Sequence, residues 1–368
     1  MSGDGYGIGQ RAGDGEFAAP ELPWRGAEIA SPVSGIGLVG CGGISGQHLI
    51  AYRDAGWPVR ALCSRDVEKA EARRSALHPK AVVVPDWTDL VVRDDVGVVD
   101  VTTHPPERQP IIEGALRAGK HVLSQKPFVT DLATGIALCD LADACGVRLA
   151  VNQNGRWAPH FSWMRHAVAA GLVGDVVAVD VTIHWNHDWV AGTPFDDTPH
   201  LLLHDFGVHW FDVVRALMPG QVAGRVTASV MRSPSQRARP PLLGQAAIAF
   251  DAGRATITFC GASASHQLDT TLVVGTRGTL RSTGPDLQNQ VVTLHTEAGV
   301  ATPQLEGQWF PDGFRGAMGE LLAAVADDRV PSNDARDNLE SLRVCWAACA
   351  ASGEGRAVSP AEVDALPS

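Results

Sequence analysis

Between a run that reads as a β-strand, Ile36 to Val39, and one that reads as a helix, Ser45 to Ala55, stands the turn Gly40-Cys41-Gly42-Gly43-Ile44-Ser45. No other feature restricts the fold as much. Gly40 permits a tight strand-to-helix turn, Gly42 lets backbone approach a pyrophosphate, and the helix start offers unpaired amides to an anion. The third glycine of the usual GxGxxG spacing is Ser45 here, still small enough for close helix-to-strand packing, and Gly46 follows it. The context matters more than the pattern, because the strand and helix on either side repeat. Val59 to Cys63, Ala81 to Val84, Val98 to Thr102, His121 to Leu123 and Arg148 to Val151 read as further strands. Asp66 to Leu77, Arg108 to Ala118 and Asp131 to Ala144 read as helices between them. Repeated βα units predict an α/β fold with a parallel, doubly wound Rossmann sheet over residues 35–152.

Beyond Asn152 the pattern changes. A helix over Pro159 to Ala170 precedes strands at Val176 to Trp185, Val222 to Met231, Gln245 to Phe250, Arg254 to Cys260 and Leu268 to Val274. Two helices, Phe314 to Ala326 and Asp334 to Ala350, close the chain. These neighbours predict an α+β second domain, 153–368, built on a large open mixed or antiparallel sheet. Arg232 to Pro241, with three prolines, reads as a surface loop. Residues 1–34, with six glycines between Gly3 and Gly15 and no period of either type, read as a flexible tail. Leu22-Pro23-Trp24 is the one stretch in it that could strap onto the body.

At 368 residues the chain suits two domains, and 45% hydrophobic against 19% charged residues is the composition of a folded protein. Its net charge of −11 repels phosphate backbones, which argues against nucleic-acid binding. The longest apolar runs fall far short of the roughly 18 residues that span a bilayer. The N-terminus lacks the basic and apolar regions of a secretory signal, so a cytoplasmic location is expected. Seven cysteines, an odd number without a CxxC pair, read as reduced core residues.

At the end of the second strand, where NAD binders carry an acid for the ribose hydroxyls, stands Ser64, followed by Arg65. An arginine there can hydrogen-bond and stack against a 2′-phosphate, which favours NADP over NAD as the cofactor. Asp66 could instead reach a ribose, or cap the next helix.

Six further stretches carry a family likeness: Val99-Asp100-Val101-Thr102-Thr103 running into Pro105, Gly119 to Pro127, Asn154 to Pro159, Gly171 to Val176, Asp205 to His209, and Asp212. With the glycine turn, their order and spacing resemble the Gfo/Idh/MocA oxidoreductases, named for glucose-fructose oxidoreductase and inositol dehydrogenase, from Gly35 onward. The resemblance implies NAD(P)-dependent hydride transfer to or from a secondary alcohol or ketone of a sugar, sugar derivative or cyclic polyol. It also implies that the second domain, 153–368, serves substrate binding and oligomerisation, with a homodimer or homotetramer formed through the exposed face of its sheet. Gly40, Gly42, Gly43, Ile44, Ser64, Arg65, Thr103, Gln125 and Lys126 would meet the cofactor. Where the family has Glu-Lys-Pro this chain has Gln125-Lys126-Pro127, so any ion pair of that Glu is lost.

Lys126 is one of four lysines against 26 arginines, which marks it as a position where a compact donor rather than a guanidinium is used. Asp205 and His209, four apart, are expected on one face of the first turn of a helix, with the carboxylate orienting the imidazole. The resemblance makes His209 the proton acceptor, with Asp205 and Lys126 beside the reacting carbon. Alternatively, Asp205 caps the helix and His209 is a core residue. Arg156 and Trp157, with Asn154, are candidates for substrate or cofactor contact. His184 and Trp185, with Asn186, His187 and Trp189, are expected to line a polyol site, aromatic faces against C–H groups. His184, His187, His200, His204 and His209 with Asp188, Asp196 and Asp197 could hold a metal, but no ligand spacing supports one and none is expected. Two other functions fit the same residues: a glycosidase or lyase that oxidises transiently without net redox change, and a dinucleotide-binding regulator without turnover.

Overall fold

The structure, a computed structural model, describes residues 15–27, 29 and 34–367. The first domain runs β1 (Gly35–Val39), α1 (Ser45–Asp54), β2 (Val59–Cys63), α2 (Val67–Leu77), β3 (Val82–Val84), α3 (Trp87–Val91), β4 (Val96–Val101), α4 (Pro105–Arg117), β5 (His121–Gln125), α5 (Leu132–Cys145) and β6 (Leu149–Asn152). All pairings among these strands are parallel, in the order β3-β2-β1-β4-β5-β6. The strand order reverses between β1 and β4, and a ligand crevice opens at the carboxyl ends of strands at such a point. Helix α4 starts three residues before the expected Arg108, because Pro105 and Pro106 fit a first turn, where a missing N–H costs nothing.

The second part runs α6 (Pro159–Ala169), β7 (Val176–His184), α7 (Val208–Leu217), β8 (Ala223–Met231), β9 (Leu243–Phe250), β10 (Arg254–Cys260), β11 (Leu268–Gly275), β12 (Gly278–Gly284), β13 (Val291–Thr296), β14 (Gly299–Ala301), α8 (Trp309–Ala326) and α9 (Ala335–Glu354). Its eight strands lie in the order β14-β13-β12-β11-β7-β10-β9-β8, antiparallel except for β7 beside β10. The mixed open sheet is as expected, with three more strands than the sequence announced. β12, β13 and β14 are rich in Gly, Thr and Ser and lack a strong apolar alternation.

Two segments cross the expected divisions of the chain. Helix α8 belongs by sequence to the second domain, yet Phe314, Met318, Leu321 and Leu322 pack into one cluster with Ile36, Leu38, Leu49 and Tyr52 of the Rossmann layer. The C-terminal segment thus covers one face of the nucleotide-binding sheet. The flexible tail does not describe residues 15–27. Phe17 N–H donates to the Val300 carbonyl (3.1 Å), Ser162 Oγ donates to the Trp24 carbonyl (2.7 Å), and Leu22 and Trp24 pack against the core. Buried apolar surface on Trp24 repays the ordering of this strap. The rest of the expected tail, apart from Ile29 and Ser34, lies outside the described residues.

Candidate active site

A cavity of about 450 Å³ opens at the ends of β4 and β5 beside the glycine turn, and the second sheet closes its other side. On the nucleotide side Gly40 has φ of +105°, and a Cβ there would lie 3.0 Å from Thr103 N and from Thr102 Oγ1. Glycine is required at that position. Gly42 and Gly43 are different, since a Cβ on either would meet nothing within 4 Å. Their backbone borders open space, directly before a helix whose first amides have no side-chain cap. Thr103 Oγ1 is buried at the cavity wall without a hydrogen-bond partner. An open cradle, a helix start without a side-chain cap and an orphaned hydroxyl fit a dinucleotide.

Ser64 and Arg65 lie at the end of β2, outside this cavity. Ser64 Oγ accepts from Asp66 N–H (3.2 Å), and Arg65, its side chain 87% exposed, pairs with Glu107 (2.8 Å). Asp66 is a helix cap, accepting from Lys69 N–H at 3.1 Å.

Lys126 Nζ projects into the cavity and donates to the Asp205 carbonyl (2.6 Å), with Asp205 Oδ1 at 3.7 Å. An ammonium carries three N–H donors, so hydrogen-bonding capacity remains for a substrate oxygen. The lysine's strand end is pinned from below. Arg108, fully buried without a carboxylate partner, donates to the carbonyls of Gln125, Pro127 and Thr103. Burial pushes its guanidinium down to about 9, partly offset by Asp205. Gln125 turns its amide oxygen inward, accepting from Lys126 N–H (2.9 Å) and from Asn152 Nδ2 (3.0 Å). Asn152 in turn reaches His48, which with Tyr52 holds Asp100 in a dry network beneath the site. An amide suits this contact better than a carboxylate, because its oxygen accepts from two neutral N–H groups while the buried Asp100 carboxylate already occupies the same network.

His209 lines the same cavity from α7. Its Nδ1 is buried without a partner, and burial, reinforced by the Lys126 charge, holds the ring well below the usual 6.5. The imidazole is therefore neutral at neutral pH and able to accept a proton. The expected Asp205–His209 pair is not formed. Residues 201–206 make a wide π-helical turn and α7 begins only at Val208, so the spacing of four does not act as one α-helical face. Asp205 faces Lys126 instead.

Arg156 and Trp157 are also corrected. Arg156 donates to both oxygens of Asp212 (2.6 and 2.7 Å), to Asp337 and to the Ser332 carbonyl, so four of the five guanidinium N–H donors are engaged within the protein, and the residue lies outside the cavity wall. Trp157 is buried under Arg165 and against Gly316. Asn154 does line the cavity, accepting from Trp309 Nε1 at 3.0 Å. His184 and Trp185 line it too. The Trp185 indole stacks on Phe206 with ring centres 4.2 Å apart and donates to His187 Nδ1 (2.8 Å). The histidine-rich segment does not converge: Asp188 and Asp196 accept backbone amides of Arg237, Ala238 and Arg239 and so fold the proline-rich loop. Among the described residues no three metal-ligating side chains meet.

Arg108, Phe206, Trp210, Trp309, Asp269 and Gln288 also line the wall; none of them was a candidate site residue from the sequence, where Phe206 and Trp210 stood only as neighbours of Asp205 and His209. Arg108 was legible only as a helical residue. Asp269 stood in an alternating strand whose buried face the alternation does not identify.

A family model described as "Oxidoreductase family, NAD-binding Rossmann fold" matches residues 34–153, and the GFO/IDH/MocA C-terminal domain model matches residues 161–281. The chain belongs to the GFO/IDH/MocA oxidoreductase family. It is 27% identical over 345 residues to D-apiose dehydrogenase of Paraburkholderia graminis, covering 89% of this chain and 90% of that one. It is 29% identical to a myo-inositol dehydrogenase of Streptomyces leeuwenhoekii, covering 85% and 95%. Among solved structures, scyllo-inositol dehydrogenase from Lactobacillus casei, with bound NAD(H) and scyllo-inositol, superposes with a TM-score of 0.75 at 22% identity, covering 89% and 99%. An Agrobacterium radiobacter oxidoreductase with NAD+, L-tartaric acid and magnesium reaches 0.79 at 18% identity, with the same coverage. The chain is an oxidoreductase with a nicotinamide-dinucleotide fold.

Proposed function

We propose that this oxidoreductase is an NAD(P)-dependent dehydrogenase that interconverts a secondary alcohol and a ketone on a sugar or cyclic polyol. The observation that carries this reading is the convergence of Lys126 and neutral, buried His209 on one cavity that also reaches the glycine turn. The bound dinucleotide supplies hydride acceptance and return. The chain's own residues handle the proton and the charge. His209 accepts the hydroxyl proton, and Lys126 donates a hydrogen bond to the same oxygen, stabilising the negative charge it gains. Asp205 positions Lys126 through the 2.6 Å carbonyl contact. Trp185 and Phe206 offer a flat stacked wall suited to sugar C–H groups. The names of its relatives, dehydrogenases of apiose and of inositols, support a polyhydroxylated substrate.

NADP is the proposed preference over NAD, because β2 ends in Ser64-Arg65 where an acid would repel the 2′-phosphate. Arg65 is exposed and would exchange Glu107 for the phosphate. Exchange of Ser64 for Asp should then shift the NADP/NAD ratio of kcat/KM toward NAD by about tenfold or more. The reaction itself is tested by mass spectrometry of products from a sugar and cyclitol panel incubated with either cofactor. Loss of two hydrogens, about 2 Da, supports net oxidation, whereas cleavage with the cofactor unchanged contradicts it.

A further inference from the structure

On the second-domain side of the cavity, β11 presents Asp269, 2% exposed, with Oδ2 buried and without a hydrogen-bond partner. It makes no ion pair among the described residues. The other two carboxylates in the wall are accounted for. Asp205 lies beside Lys126, and Asp286 folds its own loop by accepting from the amides of Gln288 and Asn289 and from the Asn289 side chain. Across the same wall Gln288 is fixed by its Oε1, which accepts from Phe310 N–H (3.0 Å), while its Nε2 has no acceptor among the described residues. A buried carboxyl without a partner weakens a fold. At a cavity wall, that cost points to a partner brought by the ligand.

We propose that Asp269, together with Gln288, is the specificity-determining subsite that grips hydroxyl groups of the substrate away from its reacting carbon. The subsite takes an uncharged sugar or cyclitol rather than a sugar acid or sugar phosphate. This deepens the dehydrogenase reading and rests on it for the site's chemistry. Burial, with the Asp286 carboxylate adding to it, pushes Asp269 up to about 8, so at neutral pH it is a carboxylic acid. Such a group offers one donor and one acceptor, as a hydroxyl does, whereas Gln288 Nε2 adds a second donor. The ionised Asp286 beside it repels an anionic substituent.

The test compares wild type with Asp269→Ala and Asp269→Asn, using myo-inositol, scyllo-inositol, D-xylose and D-apiose as probes and glucuronate and glucose 6-phosphate as anionic counterparts. Turnover is measured together with calorimetric binding of each probe to the NADPH-loaded enzyme. Asp269→Ala is expected to raise KM and Kd for the neutral probes by about tenfold or more, with kcat and cofactor affinity changed far less and the melting temperature not lowered. Asp269→Asn, which keeps an uncharged donor group beside an acceptor oxygen, recovers most of that affinity. Unchanged KM and Kd in Asp269→Ala would overturn the subsite and leave the dehydrogenase standing. Equal damage from Asn and Ala would also overturn it, showing that an ionised carboxylate is what binds. Probe binding without turnover, weakened by Asp269→Ala, would uphold the subsite and end the dehydrogenase reading. Absence of any neutral-probe binding to the loaded enzyme would overturn both.

Discussion

Four buried histidines set the pH behaviour of individual residues. His160 is held near 3, His187 and His204 near 4, and His209 well below its usual value, in each case chiefly by burial. The folded state refuses protons that the unfolded chain takes up below about 6.5, so stability falls as pH drops from 7 to 5, measurable as a falling melting temperature. Asp269 acts in the opposite sense. It keeps its proton up to about 8 when folded and only to about 3.9 when unfolded, so its contribution to stability declines as pH rises between those values. Comparing Asp269→Asn with wild type isolates that term, and the variant's gain in melting temperature should be larger at pH 8 than at pH 5. Among the active-site groups, His209→Asn is expected to cost about 10² to 10⁴ in kcat through loss of the proton acceptor. A drop smaller than tenfold would assign the proton elsewhere. Lys126 and His209 were legible from the family motifs. Asp205 was legible as a site residue but not in its role, because the π-helical turn that aims it at Lys126 leaves no mark in residue spacing.

At the scale of elements, the glycine turn separates folding from binding. Gly40→Ala would force a strained φ and a contact with the Thr103 backbone, so it should lower stability and cofactor affinity together. Gly42→Ala meets no protein atom, so the melting temperature should stay within about 2 °C while NAD(P) affinity falls, as read by calorimetry. Equal effects of the two on stability would contradict the open cradle. Between α7 and the turn that carries Arg156, the guanidinium is 8% exposed and its Asp212 partner 1%. Arg156→Met alone should cost about 3–5 kcal/mol by denaturant unfolding, since it strands a buried carboxylate, and adding Asp212→Leu should recover much of that loss. Parallel strands and their crossover helices were readable because each βα unit carries its own periodicity. The three last strands and the π-helical turn were not, because long-range pairing rather than local pattern decides them.

At the scale of the whole molecule, neither domain builds the cavity alone. The glycine turn, Thr103 and Lys126 come from the parallel sheet, and His184, Asp269 and His209 from the second part of the chain. Helix α8 returns to cover the Rossmann face and brings Trp309 to both His209 and Asn154. Such a return could not be read from domain-sized blocks of sequence. On its far side the eight-stranded sheet presents Thr227, Ser229, Gln245, Ala247, Thr256 and Thr258, small uncharged side chains in a shallow trough. We propose this face as the homo-oligomer contact, so light scattering should give at least twice the 38.9 kDa chain mass, and Ala247→Arg should reduce it. The central claim is net hydride transfer assisted by Lys126 and His209. Its most direct measurement is absorbance near 340 nm after mixing NADP or NAD with the sugar and cyclitol panel, for wild type and Lys126→Ala. Cofactor reduction by the wild type is expected, with a loss of about 10²-fold or more in the variant, which still binds the dinucleotide. Equal rates in the two proteins, or no reduction by a wild type shown to bind the cofactor and a panel member, would contradict it.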